Sequence, residues 1–151
     1  MAVFETSLVL NVTREQAFDF LIQPANQERI APPGLGLKFV NPPLEYTLGA
    51  QFEFKIQAWG MVRTATHEII QFERPLSYIE RQIKGALKSF QHEHRFDVNT
   101  EGQVVIHDRI EFLPPGGLAG MLVTESKLLE NFEDGFFYRH QQLRKLLEGT
   151  A

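Results

Sequence analysis

The residues best suited to chemistry fall on two strand-like segments near the middle of the chain. Between Leu87 and Val98, Phe90, Phe96 and Val98 alternate onto one face together with His92 and His94, while Ser89, Gln91, Glu93, Arg95 and Asp97 take the other. From Val104 to Leu113, Val104, Ile106, Ile110 and Phe112 alternate with His107, Arg109 and Glu111, which places Asp108 on the apolar face. A buried carboxylate without partners is strongly disfavoured or stays protonated. Asp108 therefore needs a partner. If Thr100, Glu101 and Gly102 form a three-residue hairpin loop with Gly102 at positive φ, Asn99 faces Gln103 and His94 faces Asp108. A loop shifted by two residues sets His92 opposite instead.

Such a cluster admits three roles. An Asp-His hydrogen bond could fix the hairpin register, since buried polar groups are normally paired. The pair could orient the carboxyl or hydroxyl head group of a ligand whose tail lies among phenylalanines. Or His94 could act as a general base, with Asp108 setting its tautomer. Metal binding by His92, His94 and Asp108 is the weakest reading, because spacing does not assure the third ligand. No nucleotide loop or serine-nucleophile elbow is present, and no cofactor or metal is expected.

The elements that must hold these residues follow from periodicity. Val3 to Val12 alternates as a strand. Thr13 opens a helix with Gln16 at capping-box spacing and Ala17, Phe18, Leu21 and Ile22 as its apolar stripe. Pro24 ends that helix and begins a second short one, Ala25 to Ile30. Gln51 to Ala58 puts Phe52, Phe54, Ile56 and Ala58 inward; Val62 to Phe72 and Leu76 to Ile83 are further strands, with the inward face of both left open. After Pro114-Pro115-Gly116-Gly117, apolar residues from Leu118 to Leu147, Phe132 and Phe136 among them, recur at helical spacing, and Gly135 is expected to loosen that helix midway. His107 and His140 read as solvated, and Trp59 as a rim or packing residue.

The pattern predicts one α+β domain over 1–151: a curved antiparallel sheet of about seven strands around a long C-terminal helix, with two short helices after the first strand. Thirteen Phe against three Tyr and one Trp supply apolar surface without polar tips, suited to a core or a cavity lining. A net charge of −4 argues against nucleic acid as a partner. No run approaches the ~18 apolar residues of a membrane span. With no cysteine and no signal-like N-terminus, a cytoplasmic location is expected.

Several ordered pieces resemble the SRPBCC or START-like superfamily, which includes polyketide cyclase/dehydrase-like and pathogenesis-related plant proteins, and more narrowly a bacterial ligand-binding branch. They are Pro24-Ala25-Asn26 leading to Ile30-Ala31-Pro32-Pro33, then Gly49 before Phe52 and Phe54, and Tyr78 to Gly85 running on to Phe90 to Phe96. Asp108 to Pro114, Gly116, Gly120 and Tyr138-Arg139 complete the set. Where the branch tends to carry Trp, this chain has Phe90 and Ala65; where it tends to carry Asp, this chain has Glu80; and a Gly-Pro-aromatic step is Gly85-Ala86-Leu87. The resemblance implies the helix-grip fold and an internal cavity for a lipid, isoprenoid or polyketide-like molecule, with a cyclase/dehydratase as the alternative. It also implies that Tyr78, Glu80 and Gln82 point inward. They join Phe52, Phe54, Phe90, His92, His94, Phe96, Asp108, Phe112, Phe132 and Phe136 as expected ligand-binding residues, His94 and Asp108 being the catalytic candidates.

Overall fold

The computed structural model describes residues 1–149, so Thr150 and Ala151 of the expected 1–151 domain lie outside the described residues. The strands are β1 (Ala2–Leu10), β2 (Lys38–Val40), β3 (Gln51–Ala58), β4 (Met61–Glu73), β5 (Ser77–Lys84), β6 (Ser89–Val98) and β7 (Val104–Leu113). The helices are α1 (Arg14–Leu21), α2 (Pro24–Ile30), α3 (Ala119–Leu122) and α4 (Glu125–Leu143), which continues through a π turn at Arg144–Glu148. All seven strands join one antiparallel sheet in the order β1-β7-β6-β5-β4-β3-β2. This is the expected helix-grip arrangement, a curved sheet closed by a long C-terminal helix.

Local chemistry accounts for the elements. The Thr13 hydroxyl accepts from the Gln16 amide at 3.1 Å, and the Gln16 side chain accepts from the Thr13 amide at 2.9 Å, so the capping box starts α1. The stripe of α1 then buries Ala17, Phe18 and Leu21, and Phe18 meets Phe72, Tyr78 and Phe96 edge-on. Pro24 opens α2, where the missing N–H would have had no intrahelical partner.

The hairpin between β6 and β7 has the expected loop. Gly102 sits at φ 80°, and the Asn99 side-chain oxygen accepts from the amides of Glu101 and Gln103 at 3.0 and 2.9 Å. That turn sets His94 opposite Asp108.

Two expectations need correction. The helix from Leu118 to Leu147 is not continuous: Val123 is extended, and Thr124 caps a new helix by accepting from the Lys127 amide. Leu118, Met121 and Leu122 consequently stand exposed, although their spacing had placed them on the buried stripe. The break falls there and not at Gly135, through which α4 runs unbroken. The short strand β2 also had no sequence signal, being three residues that pair with β3 at the sheet edge.

The core divides in two. One cluster gathers Leu10, Phe18, Ile69, Phe96 and Ile106, and the other Ile110, Phe112, Val123, Leu128 and Phe136. Along β7, Asp108 stands between Ile106 of the first and Ile110 of the second. Polar residues thus occupy the seam.

Replacing Gly102 by Val should lower the urea midpoint, a loss of about 1 kcal/mol or more, because a β-branched side chain resists φ near 80°. An unchanged midpoint would mean that the turn tolerates the substitution and does not set the register.

Candidate functional site

Four adjacent strands each bring titratable side chains to the concave face of the sheet: His67 from β4, Glu80 from β5, His92 and His94 from β6, and Asp108 from β7. The Glu80 carboxylate lies 2.8 Å from His67 Nδ1 through one oxygen and 2.9 Å from His94 Nε2 through the other. Asp108 Oδ1 lies 2.7 Å from His92 Nε2 and 3.2 Å from His94 Nδ1, the latter off the line needed for a good hydrogen bond. A carboxylate only accepts, so each histidine nitrogen in these bonds donates. His94 spans both acids. Its ring is stacked between Tyr78, at 4.1 Å, and His92, at 3.7 Å.

Burial and pairing pull these groups in opposite directions. Burial alone would raise the Glu80 carboxyl, but hydrogen bonds from His67 and His94 outweigh it and hold Glu80 well below the usual carboxylate range. Asp108 is held low in the same way by His92 and His94. For His94, burial lowers the pKa, yet the hydrogen bonds to Asp108 and Glu80 carry it above its ordinary value. His92 goes the other way: burial and the charge of His94 depress it to about 4, against the help of Asp108. The cluster therefore favours the charged form of His94, between two carboxylates, and the neutral form of His92 beside it.

Glu80, His92 and His94 also bring ligand atoms within 4.8 Å of one another, the kind of grouping that can hold a metal. The His92 and His94 rings, however, lie stacked with their planes only 26° apart. Ring-nitrogen lone pairs lie in the ring plane, so both could reach one ion only after a ring turns.

A cavity of about 660 Å³ opens between the sheet and α4. Of the residues expected to bind ligand, Phe52, Phe54, Glu80, Gln82, Phe90, His92, Phe132 and Phe136 line it. Tyr78, His94, Phe96, Asp108 and Phe112 do not, each having a reason to lie behind the wall. Phe96 and Tyr78 are held against Phe18 of α1, and Phe112 packs edge-on to Phe132. His94 and Asp108, the two catalytic candidates, are covered by their own partners, so His67, Glu80 and His92 are the members of the network that face the space. Trp59 is a wall residue, its ring under the Arg63 guanidinium at 4.7 Å. His140 is half-buried against Phe136, contrary to its reading as solvated, and burial lowers its pKa.

Other lining residues were not among the expected ligand contacts, notably Gln27, Tyr46 and Arg139, the last of which entered only through the resemblance. Arg139 carries a signal of its own. It lies three residues after Phe136 and four before Leu143, which puts a cation on the apolar stripe of α4.

No protein-family model matches this chain, and no curated protein matches it. Solved structures do. A Chromobacterium violaceum protein superposes with a TM-score of 0.75 at 13% identity, covering 98% of this chain and 99% of that one. Major latex-like protein 151 of Panax ginseng gives 0.69 at 12% identity over 95% of each chain. Ara h 8.0201 gives 0.67 at 11% identity over 99% of each. At such identities the likeness establishes the fold, which is that of major latex-like proteins and of the START/SRPBCC type.

The charge assignment is testable by NMR titration of the imidazoles. His92 should remain neutral down to about pH 4, while His94 stays charged above its ordinary 6.5. In Asp108→Asn the His94 midpoint should fall, because one of its two anionic partners is gone. The carboxylate of Asp108 stabilises the fold above its unfolded pKa of 3.8, and that contribution fades as pH falls through the lower folded value. The variant should therefore be less stable than wild type at neutral pH, and the gap should close in acid. A His94 midpoint that does not respond to Asp108→Asn would break the assignment.

Proposed function

We propose that this chain binds and carries a hydrophobic small molecule, of lipid, isoprenoid or polyketide-like character, in the cavity between the sheet and α4. The observation that carries this reading is the cavity itself, about 660 Å³ and walled by Phe52, Phe54, Trp59, Phe90, Phe132 and Phe136. Drug-sized ligands occupy pockets of roughly 300–1,000 Å³ in which apolar walls supply affinity and a few polar groups fix orientation. His67, Glu80 and His92 form such a polar patch. The resemblance to ligand-binding SRPBCC proteins agrees with this, although a fold alone does not set the task.

A second reading, a cyclase or dehydratase acting through a His-Asp pair, has one observation in its favour. His92 faces the cavity with Asp108 hydrogen-bonded behind it, the arrangement of a base and its orienting acid. The pKa of about 4 counts against it, since a general base works best when its pKa lies near the operating pH. Binding without turnover is the better fit.

A hydrophobic fluorophore should bind the folded protein saturably and be displaced by fatty acids or isoprenoids. Ala65 lies on the cavity wall opposite Phe54 in the register of β3 and β4. Ala65→Trp should fill part of the space and weaken binding about tenfold or more while the chain still unfolds cooperatively. Absence of saturable binding by the wild type would end the carrier reading.

A further inference from the structure

One charged group in the cavity wall has hydrogen-bonding capacity that no described residue uses. Arg139 Nη1 donates to Gln27 Oε1 at 2.6 Å, but Nε and Nη2 are buried and have no hydrogen-bond partner among the described residues. Those two nitrogens are not scattered. They form one edge of the planar guanidinium, the edge whose parallel N–H bonds match the two oxygens of a carboxylate. Leaving buried donors of a charged group unmet is costly, and more so than for a neutral one.

The guanidinium is also held in place. Gln27 Nε2 donates to the Leu21 carbonyl at 2.7 Å, which fixes the amide so that its oxygen faces Arg139. The Phe136 ring lies 5.5 Å from the guanidinium carbon and 5.8 Å from the His92 ring, so it touches both the cation and the histidine-carboxylate network. Gln27, Tyr46, Phe136 and Arg139 line the cavity together. Glu80, the part-buried anion of that wall, already accepts from two histidines, and Asp134 is exposed. Neither is bonded to Arg139.

We infer that the ligand is an apolar carboxylic acid whose carboxylate seats on the Nε–Nη2 edge of Arg139 while its hydrocarbon lies along the phenylalanine wall. A single planar fork suits one carboxylate better than a phosphate, which carries more charge and more acceptor oxygens than one edge can meet. The reading rests on the cavity being a ligand site and specifies the ligand class within it.

The test compares a fluorescent polyene C18 fatty acid with its own methyl ester, titrated at neutral pH into wild type, Arg139→Met and Arg139→Lys, each checked for cooperative unfolding. Wild type should bind the acid about tenfold or more tightly than the ester, the scale of a charge-assisted hydrogen-bonded pair. In Arg139→Met that ratio should fall to near one. Arg139→Lys keeps the charge without the fork and should restore only part of it, and it carries the test alone if the Met variant does not fold. Saturable ester binding with no preference for the acid, or a preference that survives in Arg139→Met, overturns the inference and leaves the cavity reading standing. A full acid preference in Arg139→Lys overturns the fork. If wild type binds neither compound saturably, the cavity reading and this one fall together.

Discussion

Two carboxylates, Asp108 buried and Glu80 part-buried, sit inside an apolar sheet, and the rest of the architecture answers to that constraint. An isolated charge in such surroundings is far more costly than any single contact nearby can offset. Glu80 and Asp108 are tolerated because three histidines arrive from neighbouring strands at hydrogen-bonding distance. Each strand from β4 to β7 supplies part of the cluster, so the pairing of three interfaces is tied to one polar knot. A slip of one residue at any of them would turn a partner to the opposite face and strand a charge. Apolar residues alone would have left the register less sharply defined.

The same knot separates the two halves of the core. On one side Phe18 locks α1 against Phe72, Tyr78 and Phe96; on the other Phe112, Phe132 and Phe136 join α4 to the sheet. What lies between sheet and helix, beyond the knot, is left unfilled by side chains and becomes the cavity. Polar groups then reach that space from two directions. The sheet offers His67, Glu80 and His92, which satisfy one another or a strand neighbour, whereas α4 offers Arg139, two of whose guanidinium nitrogens have no partner among the described residues. The first group is bonded within the sheet. The second has unspent binding capacity.

Much of the frame could be read from residue order. The capping box of Thr13 and Gln16, the alternation in β3, β6 and β7, and the Gly102 loop that sets His94 opposite Asp108 are local signals, and local signals survive folding. The centre of the site was harder. Register predicts which backbones face each other, but side chains reach diagonally: Asp108 makes its short bond to His92, two residues along from its register partner His94. The inward face of β5 was open because Ile79 and Ile83 compete there with Tyr78 and Glu80. Along β4, His67, Ile69 and Phe72 face inward at uneven spacing, which no period-two pattern can produce. The cavity itself has no sequence signature, since a phenylalanine that lines a space and one that fills it look alike.

That uneven spacing comes from two irregularities in the pairing of β4 with β5. One skips Ile83 between the Thr66–Lys84 and His67–Gln82 pairs, and the other skips Ile70 between Ile69–Glu80 and Gln71–Ile79. The first places an extra residue on β5 and the second on β4, so they cancel. Only the stretch carrying His67 and Glu80 is displaced, and the normal pairing resumes beyond it. Because each bulge is one unpaired residue, loss of Ile83 or of Ile70 would leave every other pair in place, His67–Gln82 and Ile69–Glu80 among them, and would only straighten a strand at that point. A residue lost between the two points would instead turn part of the stretch carrying His67 and Glu80 to the opposite face. In evolutionary terms the hairpin is therefore open to a change of length at two points and closed to it between them.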